Sequence, residues 1–410
     1  MKIAVIGGGW SGLAAAVELT TGGAQTVLFE AGRVLGGRAR STQLDGRTLD
    51  NGQHILLGAY SETLALMRRV GADPDQLFDR RPLQVMDNRG FSMALPKLPA
   101  PLNVAWGLFA AKGVGLREKL GTALWMEGIK QRGFRVDAQQ TVAEWLDAAG
   151  QTGALRQHLW APLCLAALNT TVDRASAQLF ANVLRDSLGS SRRADTDLLL
   201  PRVPFGELLP EPAEHWLRSQ GASLRTGCRV ESILADSSGI TLDGEHFSAA
   251  ILATAPQHAA RLWPAMDAHY DYEPIATVYL QFRPETKLPF PLQSLNGKYG
   301  QWVVDRGNGL FACVQSGQGD WTQLDDATLA AQLQSELGLG EPASGFRVVR
   351  EKRATFSCRP GITRPACASS HPRLFLAGDY TWAEYPATLE GAVRSGLRAA
   401  HQVLSRYAEA

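Results

Sequence analysis

The chain reads as an α/β protein: a Rossmann-like nucleotide-binding domain, discontinuous in sequence, with an inserted α+β substrate domain. Three observations predict this. The first 30 residues run strand, glycine turn, helix, strand. Ala249-Ala250-Ile251-Leu252-Ala253-Thr254-Ala255-Pro256 is nearly all apolar, as a parallel strand buried on both faces should be. Leu374-Phe375-Leu376-Ala377-Gly378-Asp379 again runs a strand into glycine, before a last helix. At 410 residues the chain is too long for one simple core, so two domains are expected.

The strand Lys2–Ile6 leads into Gly7-Gly8-Gly9-Trp10-Ser11-Gly12, an Ala/Leu-rich helix from Leu13 to Thr20, and a second strand Thr26–Glu30. Gly7, Gly9 and Gly12 have the G-x-G-x-x-G spacing. The first allows the tight turn, the second lets backbone approach a pyrophosphate, and the third lets helix pack close to strand. The helix N-terminus, with Ser11 in its first turn, would hold a diphosphate through free N–H groups and the helix dipole. Glu30 stands where a carboxylate accepts from ribose hydroxyls, which disfavours a 2′-phosphate and hence NADP. The fingerprint alone accepts NAD or FAD. The distant Gly378-Asp379 strand, followed by a Gly-containing helix, favours FAD.

After the second strand come Gly36-Gly37-Arg38, a hairpin through Asp45-Gly46, and the segment Leu49–Gly58. A mostly helical stretch is expected over 60–185, then a connector, Leu200–Gly206, and a helix, Glu214–Gln220. Strands are expected within Ser223–Leu234, at Gly239–Leu242 and at His246–Ala253. Residues 270–350 mix strands (Ala276–Phe282, Gln301–Asp305, Leu310–Gln315) with a helix (Asp326–Glu336). The nucleotide domain is thus expected to comprise 1–58, 205–260 and 350–410, and the substrate domain 59–204 and 261–349.

Composition excludes several classes. Lys+Arg 41 against Asp+Glu 40 gives +1, so nothing electrostatic favours nucleic acid. The five cysteines (Cys164, Cys228, Cys313, Cys358, Cys367) are scattered, odd in number and without C-x-x-C. They read as reduced thiols of a cytoplasmic protein, not as a metal site or disulfide frame. The first strand starts at Lys2, so no signal peptide is expected before it.

The N-terminal fingerprint, Gly36-Gly37-Arg38 and Gly378-Asp379 together resemble the FAD-dependent amine oxidase and phytoene desaturase superfamily across the whole chain. Within it, Asp50-Asn51-Gly52-Gln53-His54, Leu168-Asn169-Thr170 and Tyr385-Pro386-Ala387-Thr388-Leu389-Glu390-Gly391-Ala392 most resemble the hydroxysqualene dehydroxylases, FAD enzymes of bacterial hopanoid pathways. The resemblance implies non-covalent FAD. It places Gly37 and Arg38 at the diphosphate, where a guanidinium suits bidentate donation; otherwise Arg38 is a surface residue after a flexible turn. It gives Val230 the backbone pairing with adenine, and Asp379 the ribitol or diphosphate. The helix that starts near Leu389, Glu390 and Ala392 would point its N-terminus at the flavin pyrimidine, where its dipole favours the anionic reduced form.

Asn51 and Gly52 belong to the segment that the resemblance brings to the flavin ring. His54 is the candidate general acid, because imidazole titrates near neutrality; the plain alternative is a loop-fixing hydrogen bond. Gln53 would orient flavin or substrate. Asn169 would either bond the substrate oxygen or cap a helix. Tyr385 and Trp382 would either steady an allylic cation through their ring faces or simply pack. Amine oxidases often keep a lysine near the flavin; Lys298 lies in a plausible stretch, but nothing identifies it, which speaks against amine oxidation.

The uncharged run Leu98–Ala111 is too short and too proline-broken to span a bilayer, which takes ~20 apolar residues. Trp106, Leu108 and Phe109, with Lys97, Lys112, Arg117 and Lys119 nearby, suit either an interfacial segment or a helix pair covering a core. The expected partners are a lipophilic isoprenoid substrate and the inner face of the cell membrane, touched peripherally. With no second dinucleotide fingerprint, both an external flavin reductant and direct NAD(P)H access stay open. The activity implied is reductive dehydroxylation of hydroxysqualene to squalene. The alternatives are a C30–C40 desaturase, an amine oxidase, or a non-catalytic prenyl-lipid carrier.

Overall fold

In the computed structural model, which describes all residues except 45, 88, 89, 267, 268, 296, 409 and 410, the first strand lies at the centre of a five-stranded parallel sheet. The order is Ser223–Thr226, Gln25–Glu30, Lys2–Ile6, Ala249–Leu252, Leu374–Leu376. Three stretches far apart in the chain, within 2–30, 223–252 and 374–376, therefore build one sheet. Ile3 and Val5 face one hydrophobic core, and Ala4 and Ile6 the other, as period-2 alternation requires of a strand covered on both sides.

The helix Trp10–Thr21 packs against the closing helix Leu389–Ala408. Two glycines permit this closeness: a Cβ on Gly12 would stand 1.8 Å from the Gly7 carbonyl oxygen, and one on Gly396 2.0 Å from that of Ser11. The C-terminal ends of the parallel strands open on one crevice, where ligands of such sheets bind.

The expected strand His246–Ala253 is two strands. Glu245–Phe247 joins Ile233–Ala235 and Ile240–Leu242 in an antiparallel meander, and Ala249–Leu252 enters the parallel sheet. Asp45 of the expected hairpin lies outside the described residues; the flanking strands Ser41–Leu44 and Arg47–Asp50 do pair antiparallel.

A second five-stranded sheet is antiparallel, in the order Leu292–Ser294, Trp302–Asp305, Leu310–Ser316, Tyr272–Gln281, Gly345–Phe356. The helix Asp326–Leu337 covers one face through Leu329 and Leu333. The other face is turned to the helices Ala161–Leu168 and Ala177–Asp186 across a chamber. The strand Gly345–Phe356 runs through residue 350, where the sequence suggested a domain boundary. Its mixed run Arg347-Val348-Val349-Arg350-Glu351-Lys352-Arg353 has no clean alternation; pairing along Tyr272–Gln281 is what orders it.

The helices Leu102–Ala110 and Leu116–Gln131 pack together. Asn103, Gly107, Leu108, Thr122, Trp125 and Ile129 face inward. Leu102, Trp106, Phe109, Leu116, Leu120 and Leu124 are each more than half exposed. No helix among the described residues is long and apolar enough to cross a membrane.

Candidate active site

One continuous cavity of about 930 Å³ runs from the parallel sheet into the chamber beneath the antiparallel one. Its polar end is lined by Gly7, Gly9, Ser11, Glu30, Gly37, Arg38, Val230, Gly378 and Asp379. The helix Trp10–Thr21 has no side-chain cap and no acid in its first turn, so its N-terminal N–H groups are free for an anion. A Cβ built on Gly9 would point into open space, 3.9 Å from Gly37 Cα and near nothing else; any side chain there would fill the cradle. Glu30 accepts from the N–H groups of Gly8 (2.7 Å) and Gly32 (2.6 Å), which fixes the carboxylate at the cavity edge. Val230 is buried, and its backbone makes no hydrogen bond among the described residues, leaving it free for a ligand edge. These features fit a dinucleotide, with Glu30 and Val230 at the adenosine end and Gly9, Ser11 and Arg38 at the diphosphate.

Arg38 bonds Asp379 Oδ2 at 2.7 Å and the Ala354 carbonyl at 2.6 Å. The carboxylate holds the guanidinium above its ordinary pKa. Leu389 and Ala392, in the first turn of the closing helix, line the cavity. Glu390 does not, which corrects its expected place at the cofactor. Its carboxylate is fully buried on the opposite side of the helix. There it accepts from Glu62 N (3.1 Å), Thr63 N (2.9 Å), Thr63 Oγ1 (2.7 Å) and Arg394 Nε (2.8 Å). It therefore caps the N-terminus of the helix Ser61–Arg69.

Asn51 and Gly52 line the cavity at its middle. Asn51 Nδ2 reaches the Arg38 carbonyl at 3.4 Å, tying this segment to the diphosphate loop. Gln53 is buried and spent on structure. Its Nε2 donates to the His54 carbonyl (2.9 Å), its Oε1 accepts from Arg306 Nη1 (3.1 Å), and its N–H donates to Thr277 Oγ1 (3.0 Å). Arg306 also pairs with Asp50 (3.2 Å), which accepts from Phe205 N (2.7 Å). Burial raises the Asp50 pKa, against the opposing pull of Arg306. The sequence did not single out Arg306: in Asp305-Arg306-Gly307-Asn308-Gly309 it reads as a turn residue, and no local signal marks its reach to Gln53.

The His54 ring lines the cavity and packs on Phe205, centroids 4.9 Å apart. Burial, with the Arg38 charge adding to it, pushes its pKa down to about 4. The imidazole is neutral at pH 7, which corrects the expectation of a group poised to give up a proton near neutrality. Asn169 lines the cavity and takes the second of its two expected roles, a helix cap. It holds φ 49° at the C-cap of Ala161–Leu168, donates to Thr355 Oγ1 (2.9 Å) and accepts from Gly317 N (2.7 Å). Its amide ties the helix to the antiparallel sheet and has little left for a substrate.

Tyr385 lines the cavity and donates its hydroxyl to Asp186 Oδ2 at 2.6 Å. Trp382 is not among the lining residues; it lies against Arg398 instead. Lys298 is exposed over Tyr299, and no lysine lines the cavity among the described residues. Asp186, which the sequence reading passed over, is the last residue of the helix Ala177–Asp186. An acid there opposes the helix dipole, and that misfit was the available signal.

Beyond the ring region the chamber is apolar. Ile275, Val304, Val314 and Val349 come from one face of the antiparallel sheet, and Leu159, Leu163, Ala166, Ala167 and Val183 from the facing helices. Fold and site together define an FAD-dependent oxidoreductase with an apolar substrate chamber.

The chain belongs to the flavin containing amine oxidoreductase family, which it matches over residues 10–404. It is 31% identical to a hydroxysqualene dehydroxylase of Rhodopseudomonas palustris, over 98% of both chains. It is 27% identical to one of Sinorhizobium fredii, again over 98% of both. A probable zeta-carotene desaturase of Synechococcus elongatus is 24% identical, covering 100% of this chain and 99% of its own. Among solved structures, a redesigned putrescine oxidase superposes with a TM-score of 0.73 at 17% identity, over 99% of both chains; this similarity shows the fold.

Proposed function

We propose that the protein reduces hydroxysqualene to squalene, replacing an allylic hydroxyl by hydrogen. The observation that carries this reading is the joining of a dinucleotide cradle to a largely apolar chamber in one cavity, which no lysine lines among the described residues. FAD, when bound and reduced, supplies a hydride; the alcohol, a proton and that hydride give hydrocarbon and water. The remaining work falls to the chain. Gly9, Ser11, Glu30 and Arg38 fix the cofactor. The apolar walls hold the polyene and exclude water, and the aromatic residues Trp302 and Tyr385 line the chamber where a cation would develop. Neutral His54 can position a hydroxyl but holds no spare proton at pH 7.

The relatives support dehydroxylation over desaturation, the stronger matches carrying that name. Dithionite-reduced enzyme incubated anaerobically with hydroxysqualene tests the reading: squalene should form. Bleaching of the oxidised enzyme by a saturated polyene would instead assign a desaturase.

The exposed apolar rows of the helices Leu102–Ala110 and Leu116–Gln131, with Lys97, Lys112 and Arg117 exposed beside them, form a surface for peripheral contact with an anionic leaflet. A C30 isoprenoid partitions into membrane, so such contact would place the enzyme at its substrate. The cytoplasmic face of the cell membrane is the matching location, and an external donor is the matching source of electrons.

A further inference from the structure

We propose that Tyr385 and Asp186 form the proton path to the leaving hydroxyl, fed from a separate polar pocket; this rests on the dehydroxylase reading above. The chemistry demands such a path. Hydroxide is a poor leaving group, so C–O cleavage in an apolar chamber needs a proton on the oxygen. Of the polar groups that the sequence placed by the ring, His54 is neutral, and Gln53 and Asn169 are engaged elsewhere.

A second pocket of about 270 Å³ abuts the first and shares Ala59, Asp186 and Tyr385 with it. Its remaining lining is strongly polar, including Arg185, Arg192, Arg394, Asp195 and Glu384. Tyr385 and Asp186 thus stand in the partition between a polar compartment and an apolar one, joined by the 2.6 Å hydrogen bond. Arg185 holds Asp186 from the polar side through Nε (2.6 Å) and Nη2 (3.0 Å). The Arg394 guanidinium lies over the Tyr385 ring at 5.3 Å. Burial raises the Tyr385 pKa, with the Asp186 bond adding to it, so the phenol keeps its proton at rest.

Transfer then balances without a stored charge. A proton from bulk solvent, carried by water in the polar pocket, reaches the Asp186 carboxylate. Asp186 passes a proton to the phenol oxygen as the phenol gives its own to the substrate hydroxyl. The C–O bond breaks with its electron pair on oxygen, which leaves as water. FAD, held by the cradle of Gly9, Ser11 and Arg38, would supply the hydride that completes the hydrocarbon. Tyr385 ends neutral and Asp186 as carboxylate, ready for the next proton.

The test compares the alcohol with its acetate ester, whose leaving group departs without full protonation. Tyr385→Phe should lose about 10²-fold or more in kcat on the alcohol, with KM little changed. On the ester it should stay within about threefold of wild type. Asp186→Asn should behave alike, and flavin absorbance should show that both variants bind FAD. Equal loss on both substrates would reduce the pair to a structural tether and overturn the path. So would undiminished turnover of the alcohol by Tyr385→Phe. Wild-type protein that converts neither substrate would overturn the dehydroxylase reading, and the path with it.

Discussion

Arg38 and Asp379, 341 residues apart in the chain, meet at 2.7 Å where the two ends of the molecule close over one crevice. The pair joins the loop after the second strand to the turn after the last one. A guanidinium so held lines the cavity and stays charged at any working pH.

Arg38→Ala should therefore weaken FAD binding by about 10–100-fold, the range of a lost charged hydrogen bond. It should also leave Asp379 without its cationic partner. Titration of apoprotein with FAD, followed by quenching of flavin fluorescence, reads this directly. Arg38→Lys should recover only part of the affinity, because a single ammonium cannot bond two groups in a plane.

Glu390→Ala should destabilise the fold by about 2–5 kcal/mol, since it strips a helix cap and leaves Arg394 without its buried acid. FAD affinity of the folded protein should change little. Urea melts beside flavin titrations separate these effects, and a large loss of affinity without loss of stability would contradict the placement of this side chain.

These two neighbouring motifs show what the sequence made legible. Gly7, Gly9 and Gly12 could be read because each acts through local backbone geometry that its own neighbours encode, and Glu30 and Gly378-Asp379 because they end or follow a recognisable strand. Glu390 and Asn169 sit in equally suggestive motifs. Their side chains are claimed by partners as far away as Thr63 and Gly317, and no local pattern records that. The His54 charge state was out of reach for the same reason, because it depends on burial under elements from distant segments. The edge strand Gly345–Phe356 was hidden by its mixed polarity, since the partner strand, not the periodicity, defines it.

The His54 pKa, lowered from 6.5 to about 4, has a consequence for stability. Between those values the unfolded chain binds a proton that the folded apoprotein refuses. Stability therefore rises with pH through that window and is lost as pH falls from about 6.5 toward 4. The effect is on the order of 1–3 kcal/mol at the acid end. Denaturant midpoints of apoprotein at pH 7 and 5 should differ more for wild type than for His54→Asn. The same neutrality predicts that kcat carries no His54 titration step between pH 6 and 8.

Replacing Trp106, Phe109 and Leu124 together by serine should abolish sedimentation with vesicles containing anionic lipid. Turnover of detergent-dispersed substrate should persist. These side chains are 55%, 62% and 76% exposed, so their loss leaves the core intact. Undiminished vesicle binding would move the contact to another surface.

The most direct measurement is a single anaerobic mixing of dithionite-reduced holoenzyme with hydroxysqualene, following the flavin spectrum while lipid is extracted at intervals. Reoxidation of the flavin, with squalene appearing in equal amount, is the expected result. A flavin that stays reduced while hydroxysqualene is recovered unchanged would contradict the dehydroxylase reading.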